Sequence, residues 1–252
     1  MSVASINAGG DFRVGDVMSR AWNVFTSNLL FFLGITLLVY LIIFIAVGVF
    51  VTIFVLAGAS SDMGWLIAIG AFLAVMLFFG LNTVGEAVLL LGAFQLLRGQ
   101  SIRVSEALQR AFARFFPLLG LSILYGLGLI VGTLLLIVPG VILLCAWAVA
   151  VPACIVEGLG PTASMGRSAD LTKGYRWRIF GLLILLWVIN GIGSQIIEVI
   201  LRLASPWLSA AGSIIWFVAW NAYWNCVLIM AYHDLRVAKE GVDTEQIAAI
   251  FD

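Results

Sequence analysis

The chain has 252 residues, of which 63% are hydrophobic and only 10% charged, with thirteen Lys and Arg against thirteen Asp and Glu and a net charge of zero. A soluble domain carries about a quarter charged residues, so this composition excludes an ordinary soluble enzyme and predicts an all-α membrane protein. The zero net charge gives nucleic-acid binding no support. At about 20 apolar residues per crossing, about six transmembrane helices use nearly the whole length, so residues 1–252 are expected to form a single integral membrane domain with no separate soluble one.

Residues 1–10 are small and polar and read as a tail. The opening MSVASINAGGDFRVGD lacks an apolar stretch after a basic start, so no cleaved signal peptide is expected. Val14, Val17, Met18, Ala21, Trp22 and Phe25 then recur at helical spacing with Arg13, Asp16, Ser19, Arg20 and Asn23 between them. That pattern predicts an amphipathic helix lying in the membrane interface.

Residues 29–56 are continuously apolar, a first span long enough to tilt or to bend near Gly48. The linker AGASSDMG, with Asp62, turns the chain, and residues 65–81 return as the second span. Apolar character continues past Asn82, Thr83 and Glu86 to Arg98. A straight helix over 65–98 would be about 50 Å long against roughly 30 Å of hydrocarbon. The helix therefore either breaks within residues 80–85 or has its second half sheltered by protein.

Residues 101–115 form a second amphipathic helix, and VSEALQRAFARF (104–115) can be laid on VGDVMSRAWNVF (14–25), an internal repeat. Each copy sets an acid four residues before an arginine, Asp16 with Arg20 and Glu106 with Arg110, predicting a helix-surface pair. The third and fourth spans, about 116–137 and 141–156, are expected to meet at a tight Pro139-Gly140 turn, with the fourth broken at Pro152. Gly128 and Gly132 form a small-xxx-small pair suited to close helix contact. PTASMGRSADLT (161–172) fits the same repeat with Arg167 aligned to Arg20 and Arg110, but its face is small: Pro161, Ser164, Met165, Ser168, Ala169, Thr172. Such a face either packs closely on other helices or lines a polar recess. The fifth span, about 177–203, is interrupted by Asn190-Gly191-Ile192-Gly193, and the sixth runs over 207–232 after Ser205-Pro206.

The expected architecture is three parallel units, about 11–98, 101–157 and 160–240, each an interfacial helix followed by a transmembrane hairpin, with a cytoplasmic tail at 241–252. Twelve of the thirteen basic residues fall on the side of the termini and only Arg202 on the other. The positive-inside rule makes the first side cytoplasmic.

Several residues carry a functional reading beside a plainer one. Glu86 is an acid within an apolar run and a functional hypothesis by default; the plainer reading, which we place ahead, sets it at the cytoplasmic interface beside an arginine of an interfacial helix. Asn190 and Asn221, near mid-span, read first as inter-helix hydrogen-bonding groups and second as a polar path. Arg167, Lys173, Arg176 and Arg178, with Glu157 nearby, suit a pocket for an anionic lipid headgroup, against ordinary positive-inside anchoring. Trp216, Trp220 and Trp224 make a packing or lipid-facing ridge rather than a ligand cage, and His233 beside Asp234 an interfacial polar group. Cys145, Cys154 and Cys226 lie in apolar runs without CxxC spacing and read as buried small hydrophobes. No catalytic triad, P-loop, HExxH or dinucleotide-binding turn occurs, so no catalytic residue, metal or cofactor is expected.

The runs WAVAVPACIVEGLGP (147–161), MGRSADLTKGYRWRIFG (165–181) and AYHDLRVAKEGVD (231–243) resemble the bacterial family called the membrane domain of glycerophosphoryl diester phosphodiesterase. The resemblance covers nearly the whole chain and implies a bacterial inner-membrane protein. In some members the membrane part is fused to a phosphodiesterase barrel that uses histidines, carboxylates and usually a divalent metal. Nothing here matches that barrel, and the one histidine is His233, so the activity is not carried over. Two functional expectations remain. One is a non-catalytic protein that binds membrane lipids at its cytoplasmic face, or a partner there, another membrane protein or a second copy. The other is a transporter or lipid-translocating protein, motivated by the expected helix breaks.

Overall fold

The computed structural model describes residues 12–60, 64–97, 100 and 102–241. The expected N-terminal tail, Asp62 and its neighbours, Arg98, and the tail from 242 onward lie outside the described residues. The described residues are helical and contain no strand: α1 (Val14–Ser27), α2 (Leu29–Ser60), α3 (Gly64–Leu97), α4 (Val104–Ala113), α5 (Phe115–Leu135), α6 (Ile137–Ala146), α7 (Ala150–Val156), α8 (Pro161–Thr172), α9 (Arg176–Ala204) and α10 (Pro206–Glu240). Six segments are long and apolar enough to cross a membrane: α2, α3, α5, α6 with α7, α9 and α10. The protein is a multi-pass membrane protein.

The short helices α1, α4 and α8 each precede a pair of spans. Each buries one face at the same end of the bundle: Val17, Ala21 and Phe25 of α1, Ala107 and Ala111 of α4, and Ser164, Ser168, Leu171 and Thr172 of α8. We call this the helix-bearing end. The core sits beneath it, built from residues 84–93 of α3, from α7, and from the second half of α10. Away from it the spans expose Phe44, Leu134 and Leu203, as side chains facing lipid do.

Several expected breaks are displaced or absent. α3 is unbroken through residues 80–85 and α9 through 190–193, because a bilayer offers no water to a broken backbone and the helix keeps its own bonds. The glycines serve close approach instead. A Cβ at Gly85 would run into Val39 of α2, and one at Gly193 into the ring of Trp216. The second half of α3 is sheltered by protein, with Ala87, Val88, Leu90 and Ala93 nearly inaccessible. α5 turns into α6 at Leu136, which is extended, and Pro139 sits in the first turn of α6 rather than in a turn of its own, where its missing N–H is harmless.

The fourth span does break, one turn upstream of Pro152, at residues 147–149. The proline ring excludes the carbonyl four residues earlier from the helical ladder, so the discontinuity falls near Ala148. The small face of α8 meets it. Ser168 Oγ donates to the Ala146 carbonyl at 2.8 Å and accepts from the Val149 N–H at 3.2 Å, and Thr172 Oγ1 also reaches the Ala146 carbonyl at 3.2 Å. Of the two uses expected for that face, close packing is the one found.

Gly158 (φ 71°) and Gly174 (φ 92°) end α7 and lead into α9, conformations that a residue with a Cβ seldom adopts. All three cysteines are buried and free. Glu106 pairs with Arg110 at 2.6 Å, as expected, but Arg20 pairs with Asp234 of α10, not with the Asp16 carboxylate. The reason is burial: Asp234 is largely enclosed, whereas a pair along the outer face of α1 would lie in high dielectric and contribute little.

Candidate functional site

Two polar centres stand out against the apolar body. The first is at the helix-bearing end, where α7, α8 and α10 converge. Glu157 follows the last turn of α7, and α8 returns antiparallel so that Arg167 faces it. Arg167 Nε donates to both Glu157 oxygens at 2.9 Å. Its terminal nitrogen pairs with Glu240, which also accepts from Arg236 Nε at 2.9 Å. The hydroxyl of Tyr232, itself 1% exposed, donates to Glu157 Oε1 at 2.6 Å. Partial burial by itself pulls the Arg167 pKa down, but the hydrogen bonds and charges of Glu240 and Glu157 outweigh it and hold the guanidinium above the ordinary arginine value. Arg114 adds a hydrogen bond to the Gly158 carbonyl.

The four basic residues expected to share one pocket are thereby divided. Arg167 is committed to two carboxylates. Arg178 donates to the Phe12 carbonyl at 2.9 Å and lies over the Tyr175 ring. Lys173 and Arg176 are exposed and, among the described residues, neither has a carboxylate partner. Trp177 beside them is 85% exposed.

The second centre lies within the spans, where α2, α3 and α10 meet. Tyr40 Oη donates to Asn82 Oδ1 at 3.2 Å, and Asn82 Nδ2 donates to Glu86 Oε1 at 2.9 Å. Thr36, Gly85 and Asn221, with the apolar Val39 and Leu89, complete the lining of a recess of about 10 Å³. Tyr40 and Glu86 each sit eleven residues from the helix-bearing end of their helix, about 16 Å at 1.5 Å per residue. Glu86 is bonded to the neutral Asn82 rather than to the arginine of an interfacial helix that its plainer reading expected. The Thr36 side chain is fully buried, and its Oγ1 has no hydrogen-bond partner among the described residues.

Asn190 accepts from Trp216 Nε1 at 3.1 Å and joins α9 to α10, the plainer of its two readings. Asn221 lines the recess instead, and Asn225 donates back to its carbonyl at 2.9 Å. Trp216 and Trp220 stack at 5.8 Å, so the tryptophan ridge packs the bundle. His233 Nδ1 lies 3.6 Å from Asp234. Where α9 joins α10, an apolar cleft of about 370 Å³ is walled by Ile197, Leu201 and Trp216. No cluster of metal-binding side chains occurs among the described residues.

Sequence reasoning missed Tyr232, Glu240, Tyr40, Asn82 and Thr36 as members of these centres. Asn82 was findable from its i, i+4 spacing to Glu86. Tyr40 and Thr36 carried the fainter signal of two polar groups one turn apart inside an apolar run.

No curated protein and no solved structure matches the chain. One family model does, over residues 84–232, which include the Glu86 side of the recess and most of the Arg167 network. That match spans more than half of the sequence, and the chain therefore belongs to the family described as a domain of unknown function, DUF7847.

Proposed function

We propose that the chain is a non-catalytic protein of a bacterial cytoplasmic membrane, with its termini and the helix-bearing end on the cytoplasmic side, that holds anionic lipid headgroups there. One observation carries the reading: at the α8–α9 corner Lys173 and Arg176 flank a Trp177 that is 85% exposed. Arg20, Arg110, Arg167 and Arg236 at the same end are spent on carboxylates. Unpaired cations beside an exposed indole suit the headgroup layer, and each basic side chain near an anionic surface contributes about 1 kcal/mol. The double variant Lys173→Gln, Arg176→Gln is expected to lower affinity for an anionic phospholipid roughly thirtyfold at low ionic strength. Native mass spectrometry of the protein released in its own membrane patches reads this directly. Undiminished lipid in the double variant counts against the proposal, and a retained polypeptide or second copy in place of lipid would point to a docking role instead.

The intramembrane recess favours a second reading, a carrier. An ionisable group inside a span is retained for ion or proton traffic more often than for stability. The unbroken α3 and α9 remove two of the helix breaks that motivated this reading, and the recess does not. In proteoliposomes under an imposed gradient, Glu86→Gln is expected to abolish a proton or alkali-cation flux while thermal unfolding in choline chloride stays near wild type. Absence of any flux in the wild-type protein excludes the carrier.

A further inference from the structure

We propose that the recess between α2, α3 and α10 is a binding site for a single dehydrated sodium ion. The lining supplies oxygen: the Glu86 carboxylate, the Thr36 and Tyr40 hydroxyls, and the amides of Asn82 and Asn221. Hard cations of low charge select such donors. No Lys, Arg or His is among the lining residues. An ionised carboxylate held in hydrocarbon has to be compensated, because its transfer from water is among the most costly of any side chain. One carboxylate balances one positive charge. A divalent ion would leave the site with a net charge, because Glu86 is the one acid among the lining residues.

Geometry selects the same ligand. Glu86 Oε1 accepts from Asn82, whose own Oδ1 accepts from Tyr40. That chain fixes the carboxylate through Oε1, and among the described residues no donor meets Oε2. Thr36 Oγ1 is fully buried and lacks a hydrogen-bond partner among the described residues, an arrangement that is destabilising unless something else meets the hydroxyl. About 10 Å³ of room is of the order of one water-sized particle. That is too small for a hydrated ion or an organic cation.

The rival occupants are a water beside a protonated Glu86 and a potassium ion, and both are outcomes of the test. The inference rests on the same recess as the carrier reading, but binding is measured at equilibrium without flux. A bound ion with no transport, or transport with no sodium dependence, separates the two.

The test uses the full chain in lipid nanodiscs, with radioactive sodium binding and thermal unfolding in sodium, potassium or choline chloride at equal ionic strength. One sodium per chain is expected, with Tm about 5 °C higher in sodium than in choline once the ion is well above its Kd. Thr36→Val is expected to weaken sodium binding by at least about tenfold while leaving Tm in choline unchanged or slightly raised, since it removes an unmet hydroxyl. Glu86→Gln is expected to abolish binding, and if it fails to fold, Thr36→Val carries the test. Equal Tm in sodium and choline, equal stabilisation by potassium, or full sodium binding in Thr36→Val would each overturn the proposal.

Discussion

Replacing Arg167 by methionine is expected to destabilise the protein by about 2–4 kcal/mol. Among the described residues, the guanidinium is the one group that bonds to Glu157 and Glu240 together. Without it the Glu157 carboxylate, largely buried, keeps the single hydrogen bond from Tyr232, and a buried charge with one neutral donor is poorly compensated. Glu240 loses less, because it is about a third exposed and retains Arg236, so solvent screening holds the total below that of a fully enclosed triad. Arg167→Lys is expected to recover part of the loss, since a lysine is a point charge that cannot serve both carboxylates in one plane. The double variant Glu157→Gln, Arg167→Met should be more stable than Arg167→Met alone, because it removes the stranded charge as well as its partner. Thermal unfolding in nanodiscs of the wild type, Glu157→Gln, Arg167→Met and the double variant measures the cycle. A single variant that unfolds like wild type but no longer retains anionic lipid would reverse the assignment and return Arg167 to a headgroup pocket.

What the sequence disclosed about this network, and what it did not, follows from the range of the interactions. Glu157 and Arg167 both stand out as isolated charges, and their grouping with Lys173, Arg176 and Arg178 came from nearness along the chain. The partner that decides Arg167, Glu240, lies 73 positions away, and only the return of α10 brings it there. Arg20 repeats the lesson, since Asp16 is its local partner in sequence and Asp234 its actual one. Spans and short helices were legible because hydropathy and helical period are local: 14–25, 104–115 and 161–172 correspond to α1, α4 and α8. The interruptions were not, because glycine and asparagine break helices in water and in a bilayer are absorbed by close packing and inter-helix bonds. Glu86 was conspicuous from its apolar surroundings. Its chemistry depends on Tyr40 and Thr36 from another helix, and no periodicity of α3 contains them.

The largest packing effect is expected at the α5–α6 hairpin, from Gly140→Val. A Cβ built at Gly140 lies 3.1 Å from both the backbone nitrogen and the Cα of Thr133 and closer still to its hydroxyl. Gly132 is the reciprocal contact, its Cβ falling 3.3 Å from the Gly140 Cα. Backbone on both sides means that no rotamer change relieves the overlap, so the two helices must separate. Separation would pull Cys145 and Ala146 out of the core and move the Ala146 carbonyl away from Ser168 and Thr172. Overpacking by one methyl typically costs about 1–3 kcal/mol, the range expected for Gly140→Ala, and the branched valine should exceed it. Gly126 in α5 is the control, because nothing lies within 4 Å of a Cβ there; Gly126→Ala should be neutral or stabilising by up to about 1 kcal/mol. Thermal unfolding in nanodiscs measures the pair, and in a variant whose one remaining tryptophan is Trp147 its fluorescence reports on the same contact, since the indole packs across Gly128 on the adjoining turn. If Gly140→Ala and Gly126→Ala unfold at the same temperature, α5 and α6 do not touch through their glycines, and the hydroxyl contacts between α8 and the broken fourth span lose the support that holds them in register.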